Sequence, residues 1–413
     1  MIMKYVIIGN SAAAIGCVEG IREVDKNSSI TIISNENHHT YSRPLISYLL
    51  YGKTDKQRMK YREDSFYDDN DCKTLFGTEV VNVNTDKKTV KTNSGKEIEY
   101  DKLLVATGSS PFVPHIEGFE KVENKTCFMT LDDADNLEKM INNDSRVLII
   151  GAGLIGLKCA EGIADRVKSV TVCDLATRIL PNVLDERSAQ IVKEHIEKKN
   201  INIILNNSLK MLENNKATLA SGDSVDFDVL VMAVGVRPNV KLLSDVGADV
   251  ARGIVIDENC KTSINDIFAA GDCTQSIDAV TGEQKIIAIL PNAYMQGKCA
   301  GINMAGKEQK IESMIAMNAV GFFGLHMLTA GSYEGESVVT HEDNGTYKRL
   351  IVKDNVLKGF ILVGDVARAG IYTNMIREKT PLDTLDFELA AEKPQLMAFS
   401  RVKRDEIFRG QGR

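Results

Sequence analysis

The sequence predicts an α/β architecture: two Rossmann-like nucleotide-binding units followed by a C-terminal α+β module. Three observations carry this prediction. A strand–turn–helix–strand pattern occurs twice, at 4–34 and at 146–174. A second pair of segments, GKEIEYDKLLVATG (95–108) and GDSVDFDVLVMAVG (222–235), follows each copy in the same order. From about residue 315 the texture changes to short strand-like runs and then helical stretches.

The elements follow in order. KYVIIG (4–9) is an apolar strand ending in a glycine turn, Ala12–Val24 is helical in pattern, and Ser29–Ser34 is the next strand. RVLIIG (146–151), a helix over Leu154–Ala164 and SVTVCD (169–174) repeat that unit. INDIFAAGDC (264–273) reads as a short strand running into Gly-Asp, and 291–306 as a helix. The last module has four strand-like runs, AVGFFG, ESVVTH, YKRLIV and LKGFILVG, then helices near Ala369–Arg377 and Asp386–Met397. The tail, SRVKRDEIFRGQGR, is basic and contains glycine, so it is expected to be mobile. The resulting division is discontinuous. Residues 1–112 and 238–315 form the first unit, 113–237 the second and 316–413 the third.

Composition limits the function. A chain of 413 residues implies two to four domains, at about 100–200 residues each. Apolar residues make up 43% and charged residues 26%, the balance of a folded chain rather than a disordered one. A net charge of -7 and the absence of Trp argue against nucleic acid as a partner. No apolar run approaches the ~18–20 residues of a bilayer span, and the N-terminal run is a buried strand rather than a signal peptide. The expected location is therefore the cytoplasm, with no membrane partner. The eight cysteines form no Cys-x-x-Cys and no zinc or iron–sulfur spacing, so they read as reduced, buried thiols and no metal is expected.

The second copy carries a full fingerprint, Gly151, Gly153 and Gly156, with Leu154 and Ile155 between the last two. The glycines give the tight turn, the close approach to a pyrophosphate and the close helix–strand packing. Asp174 ends the following strand, where a carboxylate binds ribose hydroxyls and repels a 2′-phosphate. NADH, rather than NADPH, is the expected ligand. In the first copy Gly9 is followed by Ser11 and Ala14, small residues in place of the later glycines, with Ala12 between them. Its carboxylate candidate is Glu36.

Together with Ala106-Thr107-Gly108, the counterpart ending at Gly235, and Phe268-Ala-Ala-Gly271-Asp272, these motifs resemble the FAD-dependent pyridine nucleotide–disulfide oxidoreductases over about residues 3–310. The resemblance implies FAD in the first unit and NADH in the second. It places Gly271 and Asp272 at the ribityl–phosphate region and Val80 at the adenine. The segment YSRPLISYLLYG (41–52) is similar to the Tyr-x-Arg-Pro-x-Leu-Ser segment of rubredoxin reductases, dioxygenase ferredoxin reductases and the N-terminal part of nitrite reductase large subunits. There the Arg-Pro pair, here Arg43 and Pro44, contacts flavin and diphosphate. The last 90 or so residues resemble the interface domain of NADH:rubredoxin oxidoreductases.

This resemblance includes a departure. Relatives often pair a lysine after Arg-Pro-x-Leu-Ser with a glutamate in the NAD fingerprint; here those positions hold Tyr48 and Lys158. Lys158 is expected to supply a positive charge beside the flavin, with Tyr48 against it. No redox cysteine lies near Arg43, so reduced flavin must pass electrons to a separate acceptor: rubredoxin, ferredoxin or a small molecule. An NADH oxidase, a coenzyme A-disulfide or peroxide-type reductase, and a flavoprotein with a mainly binding or signalling role are the alternatives. A homodimer is compatible with the reading. His38 and His39 lack a third metal ligand, His195 is expected in solvent, and Met314, Met317 and Met327 are expected to pack a domain interface.

Overall fold

The computed structural model describes residues 2–311, 315–343 and 345–409. Two five-stranded parallel sheets carry the first two units. In the first, the strand order is Ile267–Ala269, Lys102–Val105, Lys4–Ile8, Ser29–Ile33 and Cys72–Leu75. In the second it is Ile201–Ile204, Ser169–Cys173, Arg146–Ile150, Val229–Met232 and Lys125–Cys127. The repeat read from the sequence is a repeat of fold. Lys4–Ile8 pairs with Ser29–Ile33 and Lys102–Val105, as Arg146–Ile150 pairs with Ser169–Cys173 and Val229–Met232. The central strands are near-continuous Val/Ile/Leu runs because both faces are covered: in the second unit helices pack on one face, and the antiparallel strands Leu209–Glu213 and Lys216–Leu219 pack on the other.

The helix Ala12–Val24 lies against Leu290–Met304 with almost no side chain between them. A Cβ on Gly297 would come 1.9 Å from the Ala13 carbonyl oxygen, and one on Gly16 would come 2.3 Å from that of Tyr294. This close backbone approach joins the segment after residue 238 to the first unit.

The third sheet is antiparallel, in the order Met317–Phe322, Leu325–Gly331, Val356–Val363, Thr346–Lys353 and Glu336–Asp343. Its strand Leu325–Gly331 is absent from the sequence reading, because LHMLTAG has few β-branched residues and follows the preceding strand after only two residues. One face of the sheet, including Phe322, Met327, Ile361 and Val363, joins the buried cluster of the second unit. Opposite it, Leu350, Phe360 and Leu362 pack on the helix Ala369–Arg377. Met327 thus packs the interface as expected, whereas Met317 faces the cavity described below, and Met314 lies outside the described residues.

Two local expectations are corrected, and the tail takes a defined element. The helix expected over 386–397 ends at Glu392, because the residue before Pro394 is held extended; a short 3-10 turn follows at Leu396–Ala398. The basic tail carries a helix over Arg401–Arg409, begun by the Ser400 hydroxyl accepting from the Lys403 amide at 3.3 Å; residues 410–413 lie outside the described residues. His195 is half-buried rather than solvated, its Nε2 3.3 Å from the Phe323 carbonyl oxygen.

Among the described residues, no helix is long and apolar enough to cross a membrane.

Candidate functional site

A parallel sheet opens a crevice at the carboxyl ends of neighbouring strands whose connections diverge. Gly9 and Ala106 mark that crevice in the first sheet. Gly9 has φ +121°, and a Cβ there would lie 2.2 Å from the Ala106 carbonyl oxygen. Gly151 and Ala233 repeat the arrangement in the second sheet, with φ +116° and the same 2.2 Å. The third fingerprint glycine, Gly156, would drive a Cβ to 1.9 Å from the Gly151 carbonyl oxygen, so it is required for helix–turn packing. The second, Gly153, has nothing within 4 Å, which leaves its side open to a ligand.

The two fingerprint helices begin differently from two other helices of the second unit. At Leu131–Met140 and Glu186–Glu197 the first-turn amides are claimed by Thr130 with Asp133 and by Asp185. At Ala12–Val24 and Leu154–Ile163 no side chain caps the start and no acidic residue stands in the first turn. Those amides are left to an anion, the arrangement a diphosphate needs.

A cavity of about 1150 Å³ runs from the first fingerprint to the C-terminal sheet. It exceeds the ~300–1,000 Å³ of ordinary small-molecule pockets and has room for a dinucleotide. Gly9, Ser11, Glu36 and Val80 line one end, with Ala106, Thr107 and Gly108 beside them. Arg43, Pro44, Gly271 and Asp272 line the middle. Tyr48, Leu154, Ile155 and Lys158 line the other end, opposite Met317–Val320. Ala12 and Ala14 do not line it. They are buried under the turn, and Ala13 is the alanine on the wall. Gly151, Gly153, Gly156, Asp174 and Gly235 also stand outside this cavity, around the second sheet's own crevice.

Glu36 is not a solvated loop glutamate. Tyr41 donates its hydroxyl to Oε2 at 2.6 Å, and Arg43 forms an ion pair with Oε1. The Arg43 guanidinium also donates to the Met129 carbonyl at 3.2 Å and lies 5.5 Å from the Tyr41 ring centroid. Burial works against the Arg43 charge, but Tyr41, Glu36 and Asp272 hold its pKa above the ordinary value. A fixed cation therefore stands on the wall between the two ends of the cavity.

Asp272 accepts no hydrogen bond from the protein among the described residues, and burial raises its pKa, with Arg43 partly opposing the rise. It is a half-buried acceptor on the cavity wall, which suits a polyhydroxyl chain such as the ribityl of FAD. The adjoining Gly271 amide donates to Gln296 Oε1 at 2.7 Å, and the Thr274 hydroxyl reaches the same oxygen at 3.2 Å. A folded pKa above the unfolded one means that stability falls as pH rises from about 4, the usual carboxylate value, through the raised pKa. Asp272→Asn should therefore make the apoprotein more heat-stable than the parent at pH 7 and indistinguishable from it near pH 3. Melting curves at the two pH values check this.

Asp174 accepts from the Ala152 amide at 2.6 Å and from the Ala176 amide at 2.7 Å. It ties the fingerprint turn to the end of its strand. The nearest following arginine, Arg178, is committed to the Leu184 and Pro181 carbonyls at 3.1 Å each. Lys158 does not reach for solvent. Its side chain is 13% exposed, and its ammonium lies 4.5 Å from the Tyr48 ring centroid.

Several contributors escaped the sequence reading. Gln296 and Asn292, four residues apart, are buried amides on a helix rich in glycine and alanine, a signal present in the pattern but unused. Asn239 exchanges hydrogen bonds with Thr107 at 2.8 and 2.9 Å, yet nothing in its neighbours distinguishes it from a turn asparagine. Glu161 pairs with Lys158 three residues earlier on the same helix, a spacing that a motif count passes over. No cysteine lines the cavity among the described residues. Burial pushes Cys273, directly after the Gly-Asp motif, up to about 11, so it is protonated at neutral pH.

Residues 3–297 match the family model for the pyridine nucleotide-disulphide oxidoreductases. The chain belongs to that family. Members are FAD- and NAD(H)-dependent, and this chain is accordingly an NADH-dependent flavin oxidoreductase that passes electrons to an acceptor. Residues 317–380 match the C-terminal domain of rubredoxin NAD+ reductases. The chain is 30% identical to the epsilon subunit of an NADH-dependent phenylglyoxylate dehydrogenase from Aromatoleum evansii, over 92% of this chain and 93% of that one. It is 33% identical to an NADH oxidase from Methanocaldococcus jannaschii, over 77% and 74%. Its fold is similar to putidaredoxin reductase in covalent complex with putidaredoxin, with TM-score 0.88 and 22% identity over 96% of this chain and 97% of that one. The oxidoreductase family thus supplies the cofactor that the crevice, uncapped amides and unpartnered Asp272 fit.

Proposed function

We propose that this flavoenzyme takes electrons from NADH and hands them to a small redox protein without a thiol relay. The observation that carries the reading is the wall beside Arg43. The helix Ile46–Leu50 turns Ser47 and Tyr48 toward the cavity, and no cysteine stands there. FAD, when bound, accepts a hydride and releases its electrons singly.

The chain's own residues do the rest. Gly9, Ser11 and the amides behind them hold the diphosphate, with Arg43 as counter-charge and Pro44 against the flavin. Glu36, in its bonds to Tyr41 and Arg43, faces the adenosine ribose, and Val80 the adenine. Asp272 takes the ribityl hydroxyls, and Ala106, Thr107 and Gly108 shape the passage between units. Gly151, Gly153 and Gly156 seat NADH on the second helix start, with Gly235 across the crevice and Asp174 at the ribose. Lys158 and Tyr48 would form the wall beside the bound nicotinamide and flavin.

The division 1–112 with 238–315, 113–237 and 316–413 is the unit organisation that goes with these roles. The same reading places the protein in the cytoplasm. The rubredoxin-reductase match of the third unit supports a redox protein as acceptor. The similarity to an NADH oxidase favours a second reading, in which oxygen is the acceptor. Stopped-flow reduction by NADH, followed by mixing with rubredoxin, ferredoxin, a quinone or O2, separates them. Reoxidation by one of the redox proteins at least ~10-fold faster than by air-saturated buffer is expected. Equal rates would support the oxidase reading.

A further inference from the structure

The third unit reaches the reaction end of the cavity through one hairpin. Its strands Met317–Phe322 and Leu325–Gly331 are joined by Phe323 and Gly324, with φ 49° and 88°. A glycine accepts that conformation freely, but a phenylalanine does not, so the strain must be held by neighbours.

Three contacts hold it. The Phe323 amide donates to Glu161 Oε1 at 2.6 Å. His195 Nε2 faces the Phe323 carbonyl oxygen at 3.3 Å. Lys158 donates to the Gly321 carbonyl at 3.2 Å. The other carboxylate oxygen of Glu161 pairs with the Lys158 ammonium. Both side chains of that pair are nearly closed to water, at 13% and 8% exposed. Lys158 lines the cavity; Glu161 does not, and stands behind it.

A lysine carries four rotatable carbons and keeps a fixed place only where something fixes it. Here Glu161 grips the ammonium and the hairpin amide at once, while the hairpin's own carbonyl grips the ammonium from the far side. We infer that Glu161 is a positioning residue: with the hairpin as its second arm, it holds the Lys158 ammonium against Tyr48 on the cavity wall and thereby sets the charge that the flavin and nicotinamide meet. The inference rests on the reading that Lys158 faces the reacting rings.

The test is a double-mutant cycle on the FAD-loaded protein with Glu161→Gln and Lys158→Met, read as the rate of flavin reduction by NADH and as the flavin midpoint potential. Gln keeps an oxygen for the Phe323 amide and removes only the grip on the ammonium. With Lys158 present, Glu161→Gln should slow flavin reduction about tenfold and shift the potential. In the Lys158→Met background, the same change should alter the rate less than twofold and leave the potential in place. Equal effects in both backgrounds, or no effect of Glu161→Gln beside Lys158, would overturn the inference: Glu161 would then only dock the hairpin. If Lys158→Met alone changes neither rate nor potential, the reading beneath fails instead. Should Glu161→Gln not fold, Glu161→Asp, which keeps the charge but is too short to hold both partners, takes its place in the same cycle with the same expectations.

Discussion

Gly9→Ala should give a protein that is colourless as purified and melts well below the parent. A Cβ at φ +121° is strained before any contact is considered, at about 1–3 kcal/mol. It would also sit 2.2 Å from the Ala106 carbonyl oxygen, a backbone atom held by the bond from the Ala106 amide to Ile8. Neither strand can yield without opening the crevice. A total cost of at least about 3 kcal/mol is expected, or roughly a 5–10 °C fall in melting temperature. Gly52 is the control. Its φ is +71°, but nothing lies within 4 Å of its added Cβ. Gly52→Ala should cost only about 1 kcal/mol and leave the protein yellow. Absorbance at the flavin band and melting curves of both variants decide the matter. Equal effects would mean that the Gly9 turn is not what holds the cofactor.

The second large effect concerns the nucleotide. The parent protein should prefer NADH to NADPH by roughly 10²-fold in kcat/KM, since a carboxylate beside a 2′-phosphate costs a few kcal/mol. Asp174 has one bond from Ala152 and one from Ala176, and these keep its carboxylate at the strand end. The nearest following arginine, Arg178, is tied to two carbonyls. Asp174→Ala should narrow the preference to below about tenfold, chiefly through a lower KM for NADPH. Steady-state kinetics with both nucleotides measure it. Equal kcat/KM values in the parent would remove Asp174 from the ribose site.

Much of this architecture is legible in the chain. Two glycine turns after apolar strands need left-handed backbone, and both Gly9 and Gly151 have it. The paired segments ending at Gly108 and Gly235 announce that one unit occurs twice, and their strands occupy equivalent places in the two sheets. What the chain hides is contact between distant segments. Tyr41, Glu36 and Arg43 are close in sequence, but that Arg43 is held by Glu36 depends on a loop closing back on itself. Asp174 is recognisable as a strand-end acid, yet its bonds to two backbone amides are features of the folded turn. Lys158 reads as a departure from a motif, but its partner is Glu161 on the same helix, and the Phe323 hairpin reaches that pair from a part of the chain more than 150 residues later. The strand Leu325–Gly331 was missed because its propensity is poor; two strong neighbouring strands hold it in the sheet.

With no thiol relay proposed, electrons from NADH are expected to be stored on the flavin. Anaerobic reductive titration of the purified, FAD-loaded protein tests it directly. Full bleaching at two electrons per FAD is predicted, with free thiol content unchanged before and after reduction. Consumption of four electrons per FAD, with new thiols appearing, would reveal a disulfide in the electron path and contradict the account.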